Sequence, residues 1–313
     1  MKLLLPDSVD LDLEVPPGVE AIRYSITAPI PEEHTDAEVL VVWGNPGDQL
    51  RDAARRLHRL RWIQTLAAGP DAVVAAGFAV DVVITSGRSL HDLTVSEHAL
   101  GLILAAARRL NLLVRAQVGH RWAGELGGLQ PVAPTGTFRT LRGAKVTIWG
   151  FGGIATTLAP HLAALGAQVT GIARHAGERA GFTVLSTAEL PKVLPETDVL
   201  VMILPATDET KHALGAEQLA LLPAHAWVIN VGRGATVDEP ALLDAVRAGR
   251  VAGAALDVFE TEPLPAGSGL WDEPNVIITP HAAGGRPIGA AALIVENLAA
   301  LLDGAELRNV VER

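Results

Sequence analysis

The sequence predicts an α/β protein whose parallel sheets are covered by helices on both faces. Short β-rich apolar runs alternate with Ala- and Leu-rich helical stretches along the chain, the pattern of βαβ units. The runs are apolar throughout rather than alternating, residues 199–204 (Val-Leu-Val-Met-Ile-Leu) most plainly, and burial on both faces is the usual cause. A length of 313 residues is roughly two domains of about 150 each.

Taken in order, the apolar start at residues 1–5 reads as a buried first strand, too short for a signal peptide. Strands are expected at 39–43, 62–65 and 82–84, with an Arg-studded helix at 48–59 between the first two. A single long helix is expected over 95–117, because Leu100, Ile103, Leu104, Leu110 and Leu113 keep a near-helical period. Residues 119–143 gather Gly, Pro and Thr and read as connecting surface. Alternation then resumes, with strands at 145–149, 168–172, 198–204, 227–230, 252–256 and 276–279, and a last helix at 288–302.

Composition excludes several classes of function. With no cysteine, disulfides, thiolate nucleophiles and Cys-type metal sites are out, and a reducing compartment, the cytoplasm, is the expectation. The balance of 25 basic against 35 acidic residues, net −10, argues against nucleic-acid or anionic-membrane binding. Mean hydropathy is +0.29. The longest apolar runs, 72–80 and 99–107, are nevertheless far short of the roughly 20 residues that span a bilayer. No HExxH or His/carboxylate spacing predicts a metal site. Of the basic residues only Lys2, Lys145, Lys192 and Lys211 are lysines, so anions are met chiefly by arginine.

A strand, Lys145-Val146-Thr147-Ile148-Trp149, runs into Gly150-Phe151-Gly152-Gly153-Ile154-Ala155, which opens a helix. In a dinucleotide loop the first glycine permits the tight turn, and the second lets backbone amides reach a pyrophosphate at the helix N-terminus. A glycine-rich turn without a ligand has the same local pattern. The strand before, the helix after and a second strand at 168–172 favour the dinucleotide. An NAD site usually ends that second strand on Asp or Glu, for the ribose 2′-hydroxyl. Here Ala173-Arg174-His175 stands there, with Arg179 nearby. Arg174 is either a solvated surface residue or a clamp for a 2′-phosphate, and NADP(H) is favoured over NAD(H).

Three further strand ends carry ionisable groups: Asn230-Val231-Gly232-Arg233-Gly234, Asp257-Val258-Phe259-Glu260-Thr261-Glu262-Pro263 and Thr279-Pro280-His281-Ala282-Ala283-Gly284. Ligands of open α/β sheets bind beyond the carboxyl ends of the strands. Alone, Arg233 could cap a loop, Glu262 could be solvated and His281 could be a turn residue. Together they match reduction of a 2-keto acid: a cation for the carboxylate and carbonyl, an imidazole to move the proton, and a carboxylate to partner it. The other histidines read as surface or structural, with His91 and His98 flanking a helix start near the cleft, and Trp43 and Trp122 are candidate pocket aromatics.

These motifs, in this order, resemble the D-isomer-specific 2-hydroxyacid dehydrogenase family, close to its glyoxylate/hydroxypyruvate reductase members. Leu204-Pro205-Ala206-Thr207-Asp208-Glu209-Thr210 is similar to the family's cofactor-contacting LPxTxxT loop, and Val95-Ser96-Glu97-His98 to the start of its interdomain helix. The resemblance implies two Rossmann-like domains with parallel sheets. A flavodoxin-like substrate domain (residues 1–93, completed by 286–313) would pair with a dinucleotide-binding domain (94–285). It implies Arg233, Glu262 and His281 as the catalytic set. It adds Leu204, Pro205, Thr210, Val231, Asp257 and His281 as cofactor contacts beside Gly150, Phe151, Gly152, Gly153, Ile154 and Arg174. Leu66-Ala67-Ala68-Gly69-Pro70-Asp71 resembles the loop whose amides hold the substrate carboxylate, and since Pro70 has no N–H, Ala68 and Gly69 are the implied donors. A homodimer is implied, with the 95–117 helix as a candidate interface. Ala155 for the third glycine and Arg174 for the acidic residue depart from the common pattern and bear on coenzyme choice. Two other functions share this fold: a dinucleotide-sensing scaffold of the corepressor type, and a dehydrogenase of another small anion.

Overall fold

The computed structural model describes residues 1–128 and 137–312, so residues 129–136 of the expected connecting stretch lie outside the described residues. The chain forms two compact units, Met1–His91 with Arg286–Arg313, and Asp92–Gly285.

The first unit contains β1 (Lys2–Pro6), β2 (Glu20–Tyr24), β3 (Val39–Val42), α1 (Gly47–Arg56), β4 (Trp62–Thr65), α2 (Asp71–Ala75) and β5 (Val83–Thr85). Its sheet has the order β2-β1-β3-β4-β5, all parallel, which is the flavodoxin-like doubly wound order. β3 and β4 are buried at every position. Leu40, Ile63 and Leu50 pack on one face of the sheet, and Leu3, Val41 and Trp62 with Leu293, Ile294 and Leu298 of the final helix on the other. Two-sided burial is why these strands read as unbroken apolar runs.

The second unit begins with α3 (Asp92–Ala107) and α4 (Leu110–Val118). It continues through β6 (Lys145–Trp149), α5 (Gly153–Ala164), β7 (Gln168–Ala173), β8 (Gly177–Arg179), β9 (Phe182–Ser186), α6 (Leu190–Val193) and β10 (Val199–Met202). Then follow α7 (Ala216–Leu221), β11 (Trp227–Asn230), α8 (Glu239–Arg247), β12 (Gly253–Leu256) and β13 (Val276–Ile278), and the chain returns to the first unit as α9 (Ala290–Asp303). The sheet order is β13-β12-β11-β10-β6-β7-β9-β8, a Rossmann-type sheet parallel throughout except for the antiparallel edge pair β8–β9.

Three local expectations are corrected. The single helix at 95–117 is two, because Arg109 takes a left-handed conformation (φ 52°) between α3 and α4. No Gly or Pro marks this break. The new direction of α4 is held by tertiary bonds, Asn111 Nδ2 to the Pro274 carbonyl (2.6 Å) and Arg115 to the Glu273 carbonyl (3.3 Å). β2 was not anticipated, since as an edge strand it buries only Tyr24 fully. The β8–β9 hairpin was also missed. It turns at Ala180-Gly181, where both residues have positive φ, a turn signal weakened by the Ala.

Candidate active site

In a parallel sheet every strand points its carboxyl end the same way, so the loops after β6, β10, β11, β12 and β13 emerge side by side. The ladder continues into their bases: Gly150 N bonds Ile172 O, Ile203 N bonds Trp149 O, Val231 N bonds Met202 O, Asp257 N bonds Asn230 O and Thr279 N bonds Leu256 O, at 2.8–3.2 Å. The motifs therefore start from a rigid edge.

Gly150 has φ 101°, and a β-carbon there would lie 2.3 Å from the Ile203 carbonyl oxygen; only glycine fits. Gly152 faces open space, with nothing within 4 Å of a β-carbon built on it, and α5 begins at the next residue. An exposed backbone turn at a helix N-terminus fits a dinucleotide pyrophosphate. The Phe151 side chain does not face that space. It is buried against Gly171 and Phe182, leaving only its backbone at the loop, while Ile154 is half-buried and Ala155 fully buried. Arg179, from the unanticipated hairpin, donates to the Phe151 carbonyl (2.8 Å) and braces the turn. Arg174 stands exposed just beyond the end of β7.

The loop at 204–210 is folded by its own threonines. The Thr210 hydroxyl donates to the Pro205 carbonyl (2.6 Å) and accepts from Thr207 N (2.9 Å), so it shapes the turn. Gly232 allows this loop to approach the one after β11: a β-carbon on it would lie 2.8 Å from Leu204 N and O. Gly234 is more constrained still, with the Phe259 carbonyl carbon 1.8 Å from such a β-carbon. Between these glycines Arg233 is half-buried, its carbonyl held by the Asn230 amide (3.1 Å) and the Thr236 hydroxyl (2.7 Å), and its guanidinium donating to Gly232 O (2.9 Å). Val231 is buried.

Glu262 and His281 meet directly, His281 Nδ1 lying 2.7 Å from Glu262 Oε2 with the imidazole half exposed and the carboxylate a third. The other Glu262 oxygen accepts from Phe259 N (2.9 Å), so the carboxylate is aimed before it meets the ring. Asp257 is 1% exposed. Its carboxylate accepts from the Thr279 hydroxyl (2.5 Å), Ala282 N (2.8 Å) and Ala283 N (3.0 Å), and its carbonyl accepts from His281 N (2.8 Å). It thus builds the His281 loop. His98 of α3 reaches the same group, with Nε2 3.0 Å from Thr279 Oγ1. The sequence places it at a helix start near the cleft, but its partners are set only by the fold, where it lies beside the buried Val95, Ala99 and Leu102.

In the first unit, Ala68 is exposed and Gly69 half-buried in the turn after β4. Among the described residues neither amide has an intramolecular acceptor. The turn is held around them by Ala67 N on Thr65 Oγ1 (3.2 Å), Gly87 N on Ala67 O (2.8 Å) and His91 Nε2 beside Leu66 O (2.8 Å). Trp43 stacks on His91, 5.4 Å between centroids, whereas Trp122 is 96% exposed. His225 and His212 pair with Asp198 (2.7 Å) and Glu260 (2.9 Å). No cluster able to hold a metal and no helix long and apolar enough to cross a membrane occurs among the described residues.

Comparison with known proteins bears on the whole arrangement. Residues 100–283 match the family model described as D-isomer specific 2-hydroxyacid dehydrogenase, NAD binding domain. The chain is 34% identical over 275 residues to glyoxylate/hydroxypyruvate reductase B of Pectobacterium atrosepticum, covering 86% of this chain and 84% of that protein. It superposes on a D-isomer specific 2-hydroxyacid dehydrogenase of Xanthobacter autotrophicus solved with NADPH, at TM-score 0.78 and 33% identity over 95% of this chain and 91% of that one. An NADPH-dependent glyoxylate/hydroxypyruvate reductase of Sinorhizobium meliloti solved with NADP gives TM-score 0.79 and 27% identity over 99% and 98%. The chain belongs to the D-isomer specific 2-hydroxyacid dehydrogenase family, as an NAD(P)-dependent oxidoreductase that reduces 2-keto acids to 2-hydroxy acids.

Proposed function

We propose that this enzyme reduces a small 2-keto acid of the glyoxylate/hydroxypyruvate kind to the D-2-hydroxy acid, with NADPH preferred over NADH. The observation that carries the chemistry is the 2.7 Å pair of His281 and Glu262. The exposed Arg174 at the end of β7, where no carboxylate stands, carries the coenzyme preference.

Residues 150–154, 204–205, 210 and 231, with Arg174 and Asp257, would hold the dinucleotide, which when bound supplies hydride to the keto carbon. Arg233 anchors the substrate carboxylate and polarises the carbonyl, and the open amides of Ala68 and Gly69 are further carboxylate donors. Glu262 orients His281 through Nδ1, leaving Nε2 to hand its proton to the substrate oxygen as the carbon is reduced. In this reading Met1–His91 with Arg286–Arg313 is the substrate domain and Asp92–Gly285 the dinucleotide domain. We further assign a homodimer built on α4, whose Leu110, Val114 and Val118 form an exposed stripe continued by Trp122.

Initial rates with glyoxylate, hydroxypyruvate and phenylpyruvate, each with NADPH and NADH, test the proposal. We expect the first two substrates and NADPH to give the highest kcat/KM. NADH used about tenfold better than NADPH would overturn the coenzyme assignment, and activity confined to phenylpyruvate the substrate class. A monomeric mass by light scattering would remove the dimer.

A further inference from the structure

The His281 loop is an improbable piece of backbone. His281 itself has φ 52°, a left-handed conformation that side chains other than Gly and Asn adopt at a cost. What imposes it is one aspartate: Asp257 takes His281 N on its carbonyl and the next two amides, Ala282 and Ala283, on its two carboxylate oxygens. A carboxylate 1% exposed holds that position only while donors replace its lost water.

The donors form a chain. Thr279 Oγ1 lies 2.5 Å from Asp257 Oδ1, and a carboxylate cannot donate, so the threonine proton points at Asp257. The threonine oxygen is then left as an acceptor for His98 Nε2–H at 3.0 Å, and the same N–H is 3.3 Å from Asp257 Oδ1. The other donors in this set come from the loop after β13. His98 comes from α3, a helix whose Val95, Ala99, Leu102 and Ile103 are buried in the core and which packs beside α5 and β12. It thereby ties the catalytic loop to a helix.

We propose that His98 is a positioning residue: through Thr279 and Asp257 it holds the loop that presents His281 to the substrate. It polarises the threonine hydroxyl toward the carboxylate, and hydrogen bonds in such a chain strengthen one another. This rests on His281 being the acid/base group.

Three variants test it with glyoxylate and whichever coenzyme the enzyme turns over faster. His98→Phe keeps the ring and removes the donor, whereas His98→Gln returns an N–H at about the reach of Nε2. We expect kcat to fall about tenfold in His98→Phe, with coenzyme Kd and substrate KM within about twofold of wild type, and His98→Gln to recover most of the rate. A merely structural histidine would lower the melting temperature without this kcat-against-KM split or the rescue. The proposal is overturned if folded His98→Phe keeps wild-type kcat, or if His98→Gln is as slow as His98→Phe. Should His98→Phe fail to fold, Thr279→Val breaks the same chain and must show the same fall in kcat; wild-type turnover there also overturns it. His281→Ala separates the premise from the inference. Its full activity would remove the acid/base reading, whereas an inactive His281→Ala beside a full-rate His98→Phe would remove only the role of His98.

Discussion

The turn at residues 66–71 of the first unit and the loops after β11, β12 and β13 of the second offer donors in opposite ways. In the first, the open groups are amides of Ala68 and Gly69, whose side chains carry no chemistry. In the second, an arginine, a glutamate and a histidine are each locked by backbone bonds before they meet a ligand. Side-chain chemistry leaves a mark in sequence and backbone chemistry leaves almost none. The two regions should accordingly respond to substitution very differently.

The largest effect is expected at His281. His281→Ala should lower kcat by about two orders of magnitude or more while coenzyme binding, followed by NADPH fluorescence, is unchanged. Next comes Arg233: Arg233→Ala should raise the keto-acid KM by about tenfold to a hundredfold, and Arg233→Lys should restore only part of it, because the planar fork is lost. An unchanged KM would argue against the anchor. Arg174→Ala should cost about tenfold in kcat/KM for NADPH and leave NADH nearly untouched. By contrast Ala68→Ser, which keeps the amide, should shift the keto-acid KM by no more than about twofold. A change as large as that of Arg233→Lys would erase the distinction between the two regions.

The smallest effect concerns stability. Burial, reinforced by the nearby Glu260 and Glu262 carboxylates, raises the Glu239 carboxyl above its ordinary range. A group raised in the folded state contributes stability below its unfolded value and loses it as pH rises through the folded one. Glu239→Gln keeps the acceptor for Glu260 N without the charge. It should therefore melt about 1–2 °C above wild type at pH 7 and level with it near pH 4. A variant less stable than wild type at pH 7 would show that the charge itself is needed there.

Much of the fold was legible because two-sided burial writes strands as apolar runs and glycine marks the turns between them. Gly150, Gly232 and Gly234 stand where a β-carbon would meet neighbouring backbone. The glycines from Gly150, with the strands and helix around them, point to the dinucleotide loop, and the ionisable Arg233, Glu262 and His281 to the others. The break between α3 and α4 was not legible. Arg109 has no intrinsic reason to turn left-handed, and the bonds from Asn111 and Arg115 that hold α4 reach residues more than 150 positions away. The β8–β9 hairpin was missed for want of a strong turn signal, and with it the bracing of the phosphate loop by Arg179.

The sequence by itself determined the doubly wound architecture, the dinucleotide loop, and the identity and order of Arg233, Glu262 and His281. Each is a matter of residue type and local spacing, read along a single strand–loop–helix unit. Only the tertiary structure decided what each polar group is engaged with. Asp257 underlies the His281 loop, Thr210 folds its own turn, and His98 joins a network whose members lie 159 and 181 residues further along the chain. The balance of −10 changes meaning in the same way. In the proposed reading, an acidic protein that must bind two anions does so with singly placed arginines and backbone amides, whose positions are set by the fold and not by the net charge.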